Sequence, residues 1–125
     1  MSYRNNFYIR TFEDHFDPHA PGIYEWRIEG VGVYVGKAKK LERRVRDYPN
    51  NVRKLIAGLP WHGNPAKSCR AIHMALRQAH DDGLSVMVSI LENCSLEDLA
   101  SRERYWIAAR AREADAGGLP ILNAR

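Results

Sequence analysis

Gly22-Ile23-Tyr24-Glu25-Trp26-Arg27-Ile28-Glu29-Gly30-Val31-Gly32-Val33-Tyr34-Val35-Gly36-Lys37-Ala38 is the stretch from which the rest of the chain is read. Gly22 to Ile28 is rich in Ile, Tyr and Trp, which suit a pleated, half-buried surface. Glu29-Gly30 marks a turn, and Val31 to Gly36 reads as the returning strand. A hairpin loop of Ile28-Glu29-Gly30 puts the glycine third, at the left-handed position of a three-residue loop. In that register Tyr24 stands opposite Tyr34, and both phenols project to one face. A two-residue loop would send them to opposite faces. The three-residue loop is favoured because glycine suits it and because the chemistry considered below needs the two phenols together.

Outward from the hairpin, residues 1–20 read as an N-terminal extension, with Phe7-Tyr8-Ile9-Arg10 as a short strand. Asp14, His15, Asp17 and His19 lie close together, but their spacing matches no metal-ligand scheme and Pro18 interrupts it, so a polar loop is expected. Downstream, Lys40 to Tyr48 is expected to be a helix stopped by Pro49, with Val52 to Ala57 a second short helix and Trp61 to Pro65 a loop. Cys69, Ile72, Leu76 and Ala79 keep helical spacing within Ala66 to Ala79. Leu84 to Leu91 alternates as a strand. Ser95 resembles an N-cap with Asp98 in the capping-box position, and the helix it starts should run to about Arg112. This order predicts an α/β (α+β) fold: a small sandwich with a short, largely antiparallel sheet of about three strands flanked by helices, formed by a domain over 21–125.

The 125 residues fit one domain, and 45% hydrophobic content supports one modest core. No apolar run is long enough to span a bilayer, so no membrane partner is expected. The N-terminus lacks the apolar stretch of a signal peptide, which makes the cytoplasm the expected compartment. Cys69 and Cys94 are in no metal pattern and read as reduced, buried thiols. A net charge of +4 admits a polyanionic partner without demanding one. Its distribution says more: Lys37, Lys39, Lys40, Arg43, Arg44, Arg46, Arg53 and Lys54 crowd one region that begins inside the hairpin motif.

Phenols, a lysine and an arginine at hairpin-and-helix spacing are groups for handling a phosphodiester. One acid breaks a pattern. Glu103 falls in the apolar stripe of the last helix with Leu96, Leu99, Ala100, Trp106 and Ile107. A carboxylate facing a core needs a partner. It can sit at the stripe's edge, pair with an arginine or hold a cation. Beside a phosphate-handling motif the cation is preferred, and a lone carboxylate suits Mg²⁺ or Mn²⁺, which keep several waters.

These residues resemble the GIY-YIG nuclease superfamily. Gly22-Ile23-Tyr24 and Tyr34-Val35-Gly36 are similar to its two namesake elements, and Val33 to Tyr48 is especially similar to the N-terminal nuclease domain of the bacterial excision-repair incision subunit. Arg102-Glu103-Arg104-Tyr105-Trp106-Ile107 resembles the family's metal-binding glutamate with its following aromatics, and Leu122-Asn123 its terminal asparagine. The resemblance implies metal-dependent hydrolysis of a DNA phosphodiester to 5′-phosphate and 3′-hydroxyl ends. RNA is not set aside. It implies Tyr24 as general base, with Tyr34 the alternative, and a site that also uses Lys37, Arg44, Tyr48 and Asn123, with Glu103 on the metal. Arg44 offers a planar fork to two phosphate oxygens, and Tyr48 lies four residues on, on the same helix face.

His62, His73 and Arg70 compete for the position where homing endonucleases of the superfamily carry a second histidine. Gly36, Lys39, Lys40, Arg43, Trp61, His62, Lys67, Arg70, His73 and Arg77 are candidate nucleic-acid contacts, with Trp61 either stacking on a base or covering the core. Nothing resembles an appended targeting domain, so a protein partner supplying targeting is expected. A nucleic-acid-binding or partner-recruiting module with little catalysis is the alternative function, and a small-metabolite phosphodiesterase the third.

Overall fold

The computed structural model describes residues 7–58 and 71–123. Strand β1 is Ile9–Arg10, β2 Gly22–Ile28, β3 Gly32–Ala38 and β4 Val86–Asn93. Helix α1 is Leu41–Ile56, α2 Ala71–Asp82 and α3 Leu99–Asp115, the last preceded by a 3₁₀ turn at Leu96–Asp98. The sheet has the order β1-β4-β2-β3, with β2 antiparallel to both neighbours and β1 parallel to β4. This is the small α+β sandwich that the alternation of elements predicts. The fourth strand comes from Ile9–Arg10, and Phe7 beside it is part of the core.

Alternation along β2 divides the molecule into two layers. Tyr24, Trp26 and Ile28 face a core completed by Val45, Tyr48 and Val52 of α1, Ile72 and Leu76 of α2, and Val86, Val88 and Ile90 of β4. Ile23 and Val35 face the other way, against Leu99, Trp106 and Ile107 of α3. Fully burying one large apolar side chain contributes about 1.5–3 kcal/mol, so the first layer supplies most of the stabilisation.

The hairpin loop does have three residues, but they are Glu29-Gly30-Val31. Gly30 is second in it, at φ 71°. Tyr24 pairs with Gly36, and Trp26 with Tyr34. The register differs from expectation by two, so the parity is kept and the two phenols still share a face. The reason lies outside the hairpin. A Cβ on Gly32 would stand 2.6 Å from the Pro120 carbonyl, so this glycine serves close packing against residues 120–122 and belongs to the strand, not the turn.

Pro49 does not stop α1. Leu41, Val45, Tyr48 and Val52 form one buried stripe that runs straight across it, and Pro49 is itself buried. The ring removes the N–H that would have bonded the Val45 carbonyl, but packing on both sides of it holds the helix continuous. Two further expectations are corrected at α3. Leu96 is 59% exposed and outside the apolar stripe. Ser95 does not cap the helix through a backbone N–H; its Oγ donates to Asp98 Oδ2 at 3.1 Å and closes the 3₁₀ turn instead. Cys94 is only partly buried, and Cys69 lies outside the described residues. Among the described residues no helix is long and apolar enough to cross a membrane.

Candidate active site

Tyr24 is the centre of the arrangement. It projects from the middle of β2 toward α1, and its ring passes directly over Gly36 on the neighbouring strand. A Cβ at position 36 would stand 2.3 Å from both Cζ and Oη of Tyr24. Glycine at 36 therefore makes room for the phenol, which reaches the Tyr48 hydroxyl at 2.5 Å. Tyr48 is fixed from three sides: Trp26 lies 5.3 Å from it, centroid to centroid, His73 of α2 stacks on it at 5.0 Å, and Tyr24 meets it edge-on. Both phenols are 1% exposed, while Tyr34 beside them is half-buried and retains solvent contact.

Arg44 stands one helical turn before Tyr48. Its guanidinium lies 5.9 Å from the Tyr48 ring centre and hydrogen-bonds the Tyr24 phenol. Its Nε is buried and has no hydrogen-bond partner among the described residues. An unsatisfied buried N–H on a charged group is costly unless something arrives to accept from it.

Burial pushes the Tyr24 phenol up to about 12, despite the lowering effect of its bond to Tyr48 and of Arg44. Burial, then the neighbouring Tyr24 and Tyr34 oxygens, pushes Tyr48 up further still. Both are neutral phenols at physiological pH. A folded-state value above the unfolded value of about 10 means that the native state holds the proton more tightly. The associated stability is complete below pH 10 and is lost as pH rises toward 12. For Tyr24 the shift is worth about 3 kcal/mol. Urea midpoints for wild type and Tyr24→Phe should therefore converge between pH 9 and pH 12, with the wild type losing more. Parallel pH dependences would refute the assignment.

Lys37 points to the opposite face of the sheet from Tyr34 and Gly36, as strand alternation requires. Its Nζ lies 3.8 Å from Glu103 Oε1 of α3. Glu103 thus sits at the edge of the α3 stripe and faces a lysine where an arginine was weighed. Its side chain is 23% exposed. Of the two groups, Arg44 from the first and Lys37 from the second line a common cavity, whereas Tyr24, Tyr34, Tyr48 and Glu103 are not in its lining. A cavity of about 540 Å³ is lined by Lys37, Lys39, Lys40, Arg43, Arg44, Asp47 and Leu99. A second hollow, lined by His19, Lys40, Glu42, Arg43 and Arg46, shares Lys40 and Arg43 with it. Asp47 was missed in the sequence, although it lies three residues after Arg44 and so shares its helix face.

Asn123 acts on the backbone of β3. Its side-chain amide brackets the Val35 backbone: Val35 N donates to Oδ1 at 2.9 Å, and Nδ2 donates to Val35 O at 2.8 Å. Leu122 N also donates to Val33 O, and Val33 N to Pro120 O. The segment 120–123 thereby closes the outer rim of β3 on both sides of Tyr34.

The candidate nucleic-acid contacts divide. Lys39, Lys40 and Arg43 are exposed around the cavity. Gly36 is buried beneath Tyr24 and offers no surface. His73 is also not on the surface; at 5% exposed it supports Tyr48 from below. Arg77 is held 3.9 Å from Asp81 on its own helix, away from the cavity lining. Trp61, His62, Lys67 and Arg70 lie outside the described residues.

Glu103 is a single carboxylate, and among the described residues no group of three or more His, Cys, Asp or Glu converges on one point. That donor set fits a hard cation that keeps most of its water, such as Mg²⁺ or Mn²⁺, and does not fit a closed zinc site.

Over about a quarter of its length the chain is similar to UvrABC system protein C. The protein of that name from Gemmatimonas aurantiaca is 56% identical over 32 residues, which are 25% of this chain and 5% of that protein. The one from Thermotoga maritima is 48% identical over 33 residues, or 26% and 6% respectively. This chain thus matches only a small part of the length of these UvrABC system C proteins. No family model matches the chain. No solved structure matches it.

Proposed function

We propose that the protein is a GIY-YIG-type endonuclease that hydrolyses DNA phosphodiesters with Mg²⁺ or Mn²⁺, leaving 5′-phosphate and 3′-hydroxyl ends. The observation that carries this reading is the cavity at the rim of β3, into which Lys37 and the partly buried Arg44 both come, with the Arg44 Nε unpartnered and Glu103 beside Lys37. Arg44 lines that cavity, so its guanidinium is placed to offer N–H groups to a phosphate oxygen. The similarity to UvrABC system protein C, short as it is, points the same way.

In this reading Arg44 grips the scissile phosphate with its planar fork, and Lys37 adds a second positive charge as negative charge builds in the transition state. Tyr24 and Tyr48 hold Arg44 in place. Burial argues against Tyr24 as the base, because an enclosed phenol pushed up to about 12 does not ionise near neutrality. Tyr34, the phenol with solvent contact, is therefore assigned to take the proton of the attacking water, in preference to Tyr24. Asn123 fixes the backbone on which Tyr34 is mounted. Glu103 would hold the divalent cation, which supplies charge neutralisation at the departing 3′-oxygen. Lys39, Lys40, Arg43 and Arg46, around the two hollows, would take flanking phosphates.

The alternative is a nucleic-acid-binding module with little catalysis, and the neutral state of Tyr24 and Tyr48 favours it. Plasmid nicking with Mg²⁺ separates the two. The wild type should nick, and Glu103→Ala should slow nicking by at least about 10²-fold while retaining most DNA affinity. Salt-sensitive binding without metal-dependent nicking by the wild type would establish the module instead.

A further inference from the structure

We propose that Lys37 is the resident counter-cation of Glu103, so that a divalent metal can occupy the carboxylate only by displacing the ammonium, which is thereby released toward the phosphate cavity. The inference rests on the reading of Glu103 as a metal ligand. It starts from placement. Strand alternation sends Lys37 to the α3 side, where its Nζ stands 3.8 Å from Glu103 Oε1. The same side chain also lines the cavity that Arg44 enters from the other layer. Lys37 is thus the one residue described both against the acid and within the phosphate cavity. Its side chain is 47% exposed and carries rotatable bonds enough to change partner without moving the backbone.

The electrostatics favour exchange over coexistence. At this separation an exposed ion pair is weak, so it does not lock the lysine. A divalent cation repels an ammonium in that position with twice the force that another monovalent charge would exert. Metal and lysine therefore compete for Glu103. The metal-free site stores its lysine on the acid, and the loaded site presents that lysine to the substrate. Metal and nucleic acid would then favour each other's binding, because both draw on the same displacement.

The test is Mn²⁺ binding to the full chain without DNA, followed by the electron paramagnetic resonance signal of the free hydrated ion. The variants are Lys37→Met, Lys37→Arg and Glu103→Gln. Lys37→Met should bind Mn²⁺ about three- to tenfold more tightly than wild type. Lys37→Arg, which keeps the charge, should stay close to wild type, and Glu103→Gln should abolish the site. A Glu103-dependent site with equal or weaker affinity in Lys37→Met overturns the exchange while leaving the metal assignment standing. Absence of any Glu103-dependent Mn²⁺ binding in both wild type and Lys37→Met overturns the exchange together with the metal reading beneath it.

Discussion

Gly36→Ala is expected to destabilise the protein by about 2–4 kcal/mol and to abolish any activity that depends on the phenol cluster. The added methyl would lie 2.3 Å from two atoms of the Tyr24 side chain. Neither side can yield cheaply. Position 36 is in the middle of a strand whose partner across the ladder is Tyr24 itself, and the Tyr24 ring is enclosed by the core. Moving the ring breaks the Tyr24–Tyr48 hydrogen bond and removes the contact to Arg44. The cause can be isolated by a double-mutant cycle in urea denaturation. In a Tyr24→Ala background the cost of Gly36→Ala should fall below about 1 kcal/mol. If the two effects simply add, the glycine is required for some other reason.

Arg44 carries the second large expectation. On the proposed mechanism, Arg44→Ala should reduce the single-turnover nicking rate by about 10²–10³-fold. Arg44→Lys should recover little of it. Lysine retains the charge but lacks the planar fork and the Nε that is buried without a partner. DNA affinity should decline only modestly in both variants; the slope of affinity against salt should fall by about one unit in Arg44→Ala, which loses one phosphate-neutralising charge of several, and stay near wild type in Arg44→Lys. Wild-type nicking by Arg44→Lys would remove the bidentate contact from the mechanism. A fold-wide loss of stability in Arg44→Ala would show up as a shifted urea midpoint, so the rate comparison is made on the lysine variant.

The hairpin, the α/β order and the shared face of the two tyrosines were legible because they depend on period and parity, which survive a register shift of two. The register itself was not, because it is set by Gly32 packing on residues some 90 positions away. The uninterrupted α1 was readable in principle. Leu41, Val45, Tyr48 and Val52 already have the spacing of one face, and packing along that stripe outweighs the local helix-breaking effect of Pro49. Helical spacing puts Glu103 in the apolar stripe, whereas the structure has it at the stripe's edge beside Lys37, a neighbour that depends on how α3 crosses β3. The burial of Tyr48 and His73 was illegible for the same reason, since it follows from α1 and α2 closing over one face of the sheet. The sequence displays the residue types, whereas which phenol meets solvent is a property of tertiary packing.

The bracket that Asn123 makes on Val35 joins positions 88 apart in the chain. During synthesis the hairpin leaves the ribosome long before the segment that seals its rim. Until that segment is made, the backbone under Tyr34 has a raw edge. A nascent polypeptide of this sequence therefore carries an unsealed hairpin until the segment through position 123 has cleared the ribosome.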